Sequence, residues 1–395
     1  MKLRRGHHLA YCTNVHRGET WSETLAALER HTLPIRARVA PGQPYAIGLR
    51  LSARAAAELA QPTALDAFRH WLERHDCTVF TINGFPYGAF HGTRVKEQVY
   101  APDWSAPERL EYTCRLFDLL AVLARPDAGG SVSTVPGSFK AFVTTDPARR
   151  AAIFANLTAC ARHVAELSAR TGLDLHLGLE PEPLCQLETT AETVAFFDEW
   201  RARTPDTAAL SRHLGVNYDC CHLAVEFEQP AAALDRLAAA GIRLSKLHLS
   251  SALRVRPDAA GRAALAAFVE PTYLHQVVVA EHGIVRQRFA DLPDALAAAE
   301  TQPPREGEEW RIHFHVPLHA APAAPLGDTR DHLLGALDWL AAHPDACCHL
   351  EMETYTWAVL PPELRLPVEE QLVREYDWTL AALAQRGLAR PEARR

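Results

Sequence analysis

Four short stretches in the second half of the chain alternate between apolar and polar positions, and each ends in side chains that commonly bind metals. They are His176-Leu-Gly-Leu-Glu180, Val216-Asn-Tyr-Asp219, Lys246-Leu-His248 and His349-Leu-Glu-Met-Glu353. Leu175, Leu177 and Leu179 share one face, and His176, Gly178 and Glu180 the other. Leu247 and Leu249 oppose Lys246, His248 and Ser250; Leu350 and Met352 oppose His349, Glu351 and Glu353. A strand has a period of two, so each stretch reads as a strand with one apolar face and one face of carboxylates and imidazoles. Polar groups on a shared inner face need partners, and a divalent cation is the simplest one.

The rest of the chain repeats strand then helix. Alternation predicts strands at His8–Asn14, Ala46–Leu51, Val79–Asn83, Ser131–Val135, Leu175–Glu180, Leu214–Asp219, Leu244–Ser250, Ile312–Val316 and His349–Thr354. Three- and four-residue spacing predicts helices between most of them. The clearest is Pro147–Thr171, with Ile153, Leu157, Cys160, Val164 and Leu167 on one face and Gly172 at its end. Glu19–Arg30, Ala53–Arg74 (two helices, split by Pro62), Pro107–Ala124, Ala191–Arg203, Ala231–Ala240 and Asp328–Ala342 complete the set. Alternating β and α units imply a parallel sheet covered by helices, and eight or nine such units fit a (β/α)8 TIM barrel. No G-x-G-x-x-G follows the first strand, so nothing supports a dinucleotide-binding sheet. The surplus strand points to an insertion after the seventh strand, at 251–310. Within it, Gln276–Ala280 and Ile284–Arg288 flank Glu-His-Gly and read as a β-hairpin near the active-site rim. The chain thus reads as one barrel domain over 1–395, with the basic tail Arg386–Arg395 expected to fray.

Composition narrows the class of protein. The 395 residues are 48% hydrophobic and 23% charged, as in a soluble globular chain. A net charge of -7 argues against a nucleic-acid partner. No run reaches the roughly 18 apolar residues of a membrane span, and Met1–Asn14 is too polar for a signal-peptide core. The nine Cys include two vicinal pairs and no C-x-x-C, so reduced thiols and a cytoplasmic location are expected.

The strongest local pattern is Asn217-Tyr-Asp-Cys-Cys-His222, in which a strand ends at Asp219 and His222 follows three residues later. Taken with Leu179-Glu180-Pro181, Leu247-His248-Leu249 and Met352-Glu353-Thr354, it resembles the xylose isomerase-like TIM-barrel superfamily, which includes ketose 3-epimerases, related sugar isomerases and endonuclease IV. The whole chain also resembles the family of the metabolite traffic protein EboE within that superfamily. The stretches that carry this are His8–His16 with Gly18-Glu-Thr-Trp21, Ile47–Ser52, Thr81–Gly88, Tyr100–Trp104 and Glu353-Thr-Tyr-Thr-Trp357. That second resemblance implies a place in metabolite biosynthesis or export and fixes no reaction.

The superfamily resemblance implies that Glu180, Asp219, His248 and Glu353 hold one divalent ion. One imidazole and three carboxylates suit Mn, Zn, Co or Mg without choosing among them. It further implies that Glu180 and Glu353 act as the catalytic pair: one removes a proton next to a carbonyl that the metal polarises, and the other returns it on the opposite face. Arg254 lies six residues after His248, where epimerases place a substrate-binding Arg. His222 is expected at the substrate or at a second metal. Glu351 shares a face with Glu353 and competes for its role; it would lie deeper, with Lys246 as a partner. Glu182, between Pro181 and Pro183, is a loop candidate for substrate contact. The stretch Ile312–His319 puts His313 and His315 on one face, with His315 a ligand or substrate contact. Asn14, His16, Asn83 and Ser133 near early strand ends are expected to face the cavity, and Phe85, Tyr87 and Trp104 to line it or pack in the core.

Three functions follow from different classes. The first is a metal-dependent isomerase or epimerase of a sugar, sugar phosphate or cyclitol. The second is a non-catalytic carrier or scaffold for a polyhydroxylated small molecule. The third is an endonuclease IV-like phosphodiesterase, disfavoured because Val135-Pro-Gly-Ser138 stands where that enzyme carries His-Pro-Gly-Ser. A homo-oligomer is compatible with all three.

Overall fold

A computed structural model describes residues 1–92, 94–143, 146–301 and 303–389. Eight parallel strands form the barrel: β1 (His8–Tyr11), β2 (Tyr45–Arg50), β3 (Cys77–Asn83), β4 (Gly130–Thr134), β5 (Leu175–Leu179), β6 (Leu214–Asp219), β7 (Arg243–Leu249) and β13 (His349–Met352). Their order is β1-β13-β7-β6-β5-β4-β3-β2, and a parallel bridge from Cys12 to Gly48 joins the two ends. Outward Leu, Ile and Val side chains pack under the surrounding helices, and nearly all are fully buried. This is the (β/α)8 barrel expected from the alternation, and every barrel strand begins and ends within three residues of its predicted place, the largest difference being β1, which stops at Tyr11 rather than Asn14.

Register sets the height of each inner side chain. Asp219 pairs with His248 across β6 and β7, His248 with Glu351 across β7 and β13, and Ala10 with Glu351 across β1 and β13. A row of functional groups therefore crosses three neighbouring strands at one level. Close approach also matters at the seam. A Cβ on Gly48 would run into the Glu351 carboxyl and the Tyr11 carbonyl, so only glycine fits there.

Between β7 and β13 lies a second sheet of five short strands: β8 (Leu253–Val255), β9 (Val277–Glu281), β10 (Ile284–Phe289), β11 (Glu308–Ile312) and β12 (Leu326–Asp328), ordered β10-β9-β11-β8-β12. The β9–β10 turn uses His282 and Gly283 at φ 51° and 77°, as a two-residue type I′ turn demands. The sheet has a core of its own, including Leu253, Val277, Leu292, Trp310 and Ile312. It thus runs to Asp328, beyond the Trp310 boundary read from the sequence. The expected strand Ile312–Val316 is instead the end of β11, at Ile312, followed by loop. Arg288 ties this cap to the barrel through Glu188 at 2.8 Å and Glu226 at 2.5 Å.

Several helices escape the periodicity, among them the short Cys220–Val225, Ala259–Leu265 and Leu292–Ala299, and two that pack on the barrel. Leu33–Val39 continues the first helical region through a π-turn at Leu28–Thr32, with Pro34 tolerated in its first turn. Val368–Gln385 covers the last strand and buries Leu372, Tyr376 and Leu383. The tail expected to fray is anchored as far as it is described: Leu388 is buried and its carbonyl accepts the Arg4 N–H at 3.3 Å. Residues 390–395 lie outside the described residues.

Candidate metal centre and substrate cleft

Each ligand-type side chain is placed by a local rule. Glu180 directly follows β5, and Pro181 bars a helix from starting there. Asp219 ends β6 and caps the Cys220–Val225 helix, accepting N–H bonds from Cys221 at 2.7 Å and His222 at 3.0 Å. The Asp-x-x-His spacing is therefore a helix cap, which sets His222 in the first turn, facing back over the barrel. Glu353 lies just beyond β13 and Glu351 within it.

Glu180, Asp219, His248 and Glu353 converge, with one candidate ligand atom from each lying within 4.8 Å of the others. His248 Nδ1 faces Glu180 Oε1 at 3.1 Å, Glu353 Oε2 at 3.2 Å and Asp219 Oδ2 at 3.3 Å. Its Nε2 faces Glu351 Oε2 at 2.9 Å. Glu351 is in turn held by Lys246 Nζ at 2.5 Å, and Lys246 also donates to Ser133 Oγ at 3.0 Å. Register thus separates the two carboxylates of the last strand: Glu353 joins the cluster, and Glu351 grips the far side of the imidazole. A carboxylate on the outer nitrogen fixes the ring and raises its basicity, as partners behind metal ligands do.

The charge pattern fits a cation. Burial disfavours a charged His248, yet Glu353 and the neighbouring Glu180 and Asp219 hold it well above its ordinary pKa. Burial likewise pushes Glu353 up, and the charge and hydrogen bond of His248 bring it below the usual carboxylate range. Three carboxylates thus share one imidazole proton. Among the described residues Glu180 Oε2 accepts no hydrogen bond, and Asp219 Oδ2 meets only His248, outside hydrogen-bond geometry. A divalent ion held here by Glu180, Asp219, His248 and Glu353 would supply the missing positive charge in place of that proton.

Beside this cluster His222, His313 and His315 pack ring to ring, with centroids 4.5–5.5 Å apart. Each has its Nδ1 engaged: His222 by Pro181 O at 3.0 Å, His313 by Gln276 Oε1 at 2.7 Å and His315 by Glu353 O at 2.9 Å. Nε2 of His313 and of His315 has no hydrogen-bond partner among the described residues. Asp219, His222 and His315 form a further group with ligand spacing, as do Glu182, His222 and His313. These imidazoles can meet substrate oxygens or a second ion.

A cleft opens above both clusters. Its floor includes Asn14, Asn83, Glu180, Glu182, His222 and Glu353. Asn14 and Asn83 donate to Glu353 Oε1 at 2.7 and 3.0 Å and orient that carboxylate. Glu182 accepts from the Tyr100 hydroxyl at 2.6 Å, and burial pushes its pKa up to about 7 against the pull of His222.

Not every expected residue reaches the cleft. Arg254 lies on the cap, half-exposed and paired with Asp331 at 2.9 Å, because β8 turns the chain away from the mouth just after β7. Tyr87 and Trp104 pack elsewhere: Tyr87 beneath Arg109, and Trp104 fully buried with its N–H on Thr134 Oγ1. His16 stacks on His31 outside the cleft. Phe85 does line it. Missed by sequence reasoning were Phe90, Lys96, Tyr100, Tyr273 and Tyr355 of the lining, and Gln276 behind it. Tyr273 and Leu274 line the cleft, so the cap contributes to its wall, and Gln276 of the same segment donates to the Tyr100 hydroxyl at 2.7 Å. Its only signal is its place at the start of the hairpin.

No family model matches the chain, and no curated protein matches it. Solved structures do. An L-ribulose 3-epimerase matches at 12% identity and a TM-score of 0.51, over 98% of this chain and 96% of that one. A xylose isomerase-like TIM-barrel protein from Mycobacterium smegmatis, solved in complex with magnesium, matches at 13% identity and a TM-score of 0.51, over 96% and 97%. A xylose isomerase domain protein from Planctomyces limnophilus matches at 13% identity and a TM-score of 0.50, over 90% and 93%. At these identities the likeness concerns the backbone: the fold of this chain is the xylose isomerase-like TIM barrel.

Proposed function

We propose that the chain is a metal-dependent isomerase or epimerase of a sugar or related polyol, acting by proton transfer next to a carbonyl. The observation that carries this reading is the convergence of Glu180, Asp219, His248 and Glu353 at the ends of four barrel strands, with buried carboxylate oxygens left for a cation. A divalent ion bound there supplies Lewis-acid polarisation of a substrate carbonyl. The protein's own groups do the rest. Glu353, fixed through Oε1 by Asn14 and Asn83, presents Oε2. Glu180 presents an Oε2 with no other partner and is the freer of the two to take a proton. Glu351 and Lys246 keep the His248 ring in place. The solved epimerase and isomerase-like structures share this fold and are consistent with the reading. A role in metabolite biosynthesis or export is the setting implied by the EboE resemblance.

Elemental analysis after purification without added metal tests the site. The expected result is one equivalent of Mn, Co, Zn or Mg, lost in Glu180→Gln and in His248→Ala. No bound ion at any pH sinks the reading. Deuterium uptake from heavy water into a panel of ketoses tests turnover. A metal-loaded chain that exchanges no proton on any of them is a carrier.

A further inference from the structure

Above the acidic floor, the cleft changes character. Phe90, Tyr273 and Tyr355 come from three distant segments and meet with ring centroids 5.1–5.4 Å apart. Together with Val95 they form a small apolar cluster separate from the barrel core. Phe85 and Tyr100 extend the apolar wall, with Tyr100 stacked on Phe139 at 4.7 Å. Such a collar gains most from an apolar group of ring size.

Charge gives the second constraint. The floor presents Glu180, Glu182 and Glu353. Lys96 is the one Lys or Arg among the described residues that line the cleft, and it is already committed. Its Nζ lies 2.5 Å from Asp291 Oδ2 and 3.3 Å from the Glu270 carbonyl, and its side chain is 8% exposed. Arg254 is turned away on the cap. Among the described residues that line the cleft, a phosphate ester would find carboxylates below it and no Lys or Arg besides the paired Lys96, so much of its desolvation would go uncompensated.

We infer that the substrate is an uncharged polyol carrying an apolar, ring-sized substituent, with the hydroxylated part on the carboxylate floor and the substituent in the collar of Phe90, Tyr273 and Tyr355. This rests on the isomerase reading of the floor and narrows its substrate class: phosphorylated sugars are excluded.

The test is calorimetric binding to the metal-loaded full chain. It uses matched trios of a free ketose, its 6-O-benzyl ether and its 6-phosphate, for D-fructose, D-tagatose and L-sorbose. In at least one trio the benzyl ether binds about tenfold or more tighter than the parent, and the phosphate binds weakest. Phe90→Ala reduces the benzyl gain. Asp291→Asn keeps a helix-capping side chain but releases Lys96, and it raises the affinity for the phosphate relative to the parent. The inference is overturned when a phosphate binds best, when no benzyl ether outbinds its parent, or when none of the nine compounds binds. Metal content is measured separately. A chain that takes up no ion overturns the isomerase reading, whereas a loaded chain that prefers phosphates overturns only the substrate class.

Discussion

The barrel holds two layers of buried histidine that behave in opposite ways. Low in the barrel His349 is bonded at both nitrogens, to Ser131 Oγ at 2.8 Å and the Ala128 carbonyl at 2.9 Å, and burial pushes its pKa down to about 3. His176 beside it meets Ser245 Oγ at 2.6 Å and is likewise held neutral by burial. One level higher, His248 is equally buried yet is held charged by carboxylates. Burial is common to both layers, so the partners decide. Hydroxyls and carbonyls satisfy a neutral ring and complete the lower layer. Carboxylates leave the upper layer with more negative charge than its proton can balance, and that surplus marks the site.

The contrast breaks most visibly at His248. His248→Ala is expected to lower metal affinity by more than about 100-fold, since outer-sphere partners alone are worth 10–100-fold; equilibrium dialysis with Mn or Zn reads it directly. Next comes a buried carboxyl with neutral partners only. Glu375 accepts from the Thr354 hydroxyl at 2.8 Å and the Leu318 N–H at 3.1 Å, and burial raises its pKa to about 7. Its folded pKa lies above the unfolded 4.5, so its contribution to stability is full below pH 4.5 and is lost as pH rises through 7. Glu375→Gln should abolish that loss, gaining on the order of 3 kcal/mol over the parent by pH 8 in denaturant titrations. Smaller is the effect of the groups behind the metal ligand. Lys246→Met combined with Glu351→Gln removes both charges of a buried pair and is expected to weaken metal binding about 10–100-fold. The smallest effect belongs to the lower layer. His349→Leu should lose about 1–2 kcal/mol of stability by orphaning the Ala128 carbonyl and leaving Ser131 only its bond to Thr81, while metal stoichiometry stays unchanged.

Much of this was legible in the sequence, because period-two alternation records which side chains share the barrel interior. Leu175, Leu177 and Leu179 against His176 and Glu180 give the strand, its inner face and a candidate ligand at once. Asp219 and His222 were legible as a pair because a helix cap has fixed spacing. Alternation alone leaves Glu351 and Glu353 on one face; only the Glu-Thr context points to Glu353, and register with His248 is what sets their heights. Arg254 was misplaced because a fixed spacing after His248 presumes a loop where this chain starts a cap strand. Val368–Gln385 escaped notice, although Leu372, Tyr376 and Leu383 are spaced for a helix face. The aromatic collar was invisible for a different reason: its residues come from segments that only the closed fold brings together.

Gly48 is not among the residues that line the cleft, yet the Glu351 carboxyl occupies the space its side chain would take. The orientation of His248 therefore depends on how tightly the first and second strands close against the last. Any change that loosens this seam should be felt first as weaker metal retention, before the barrel itself unfolds. The second strand thus bears a sequence constraint on behalf of chemistry carried out across the barrel from it.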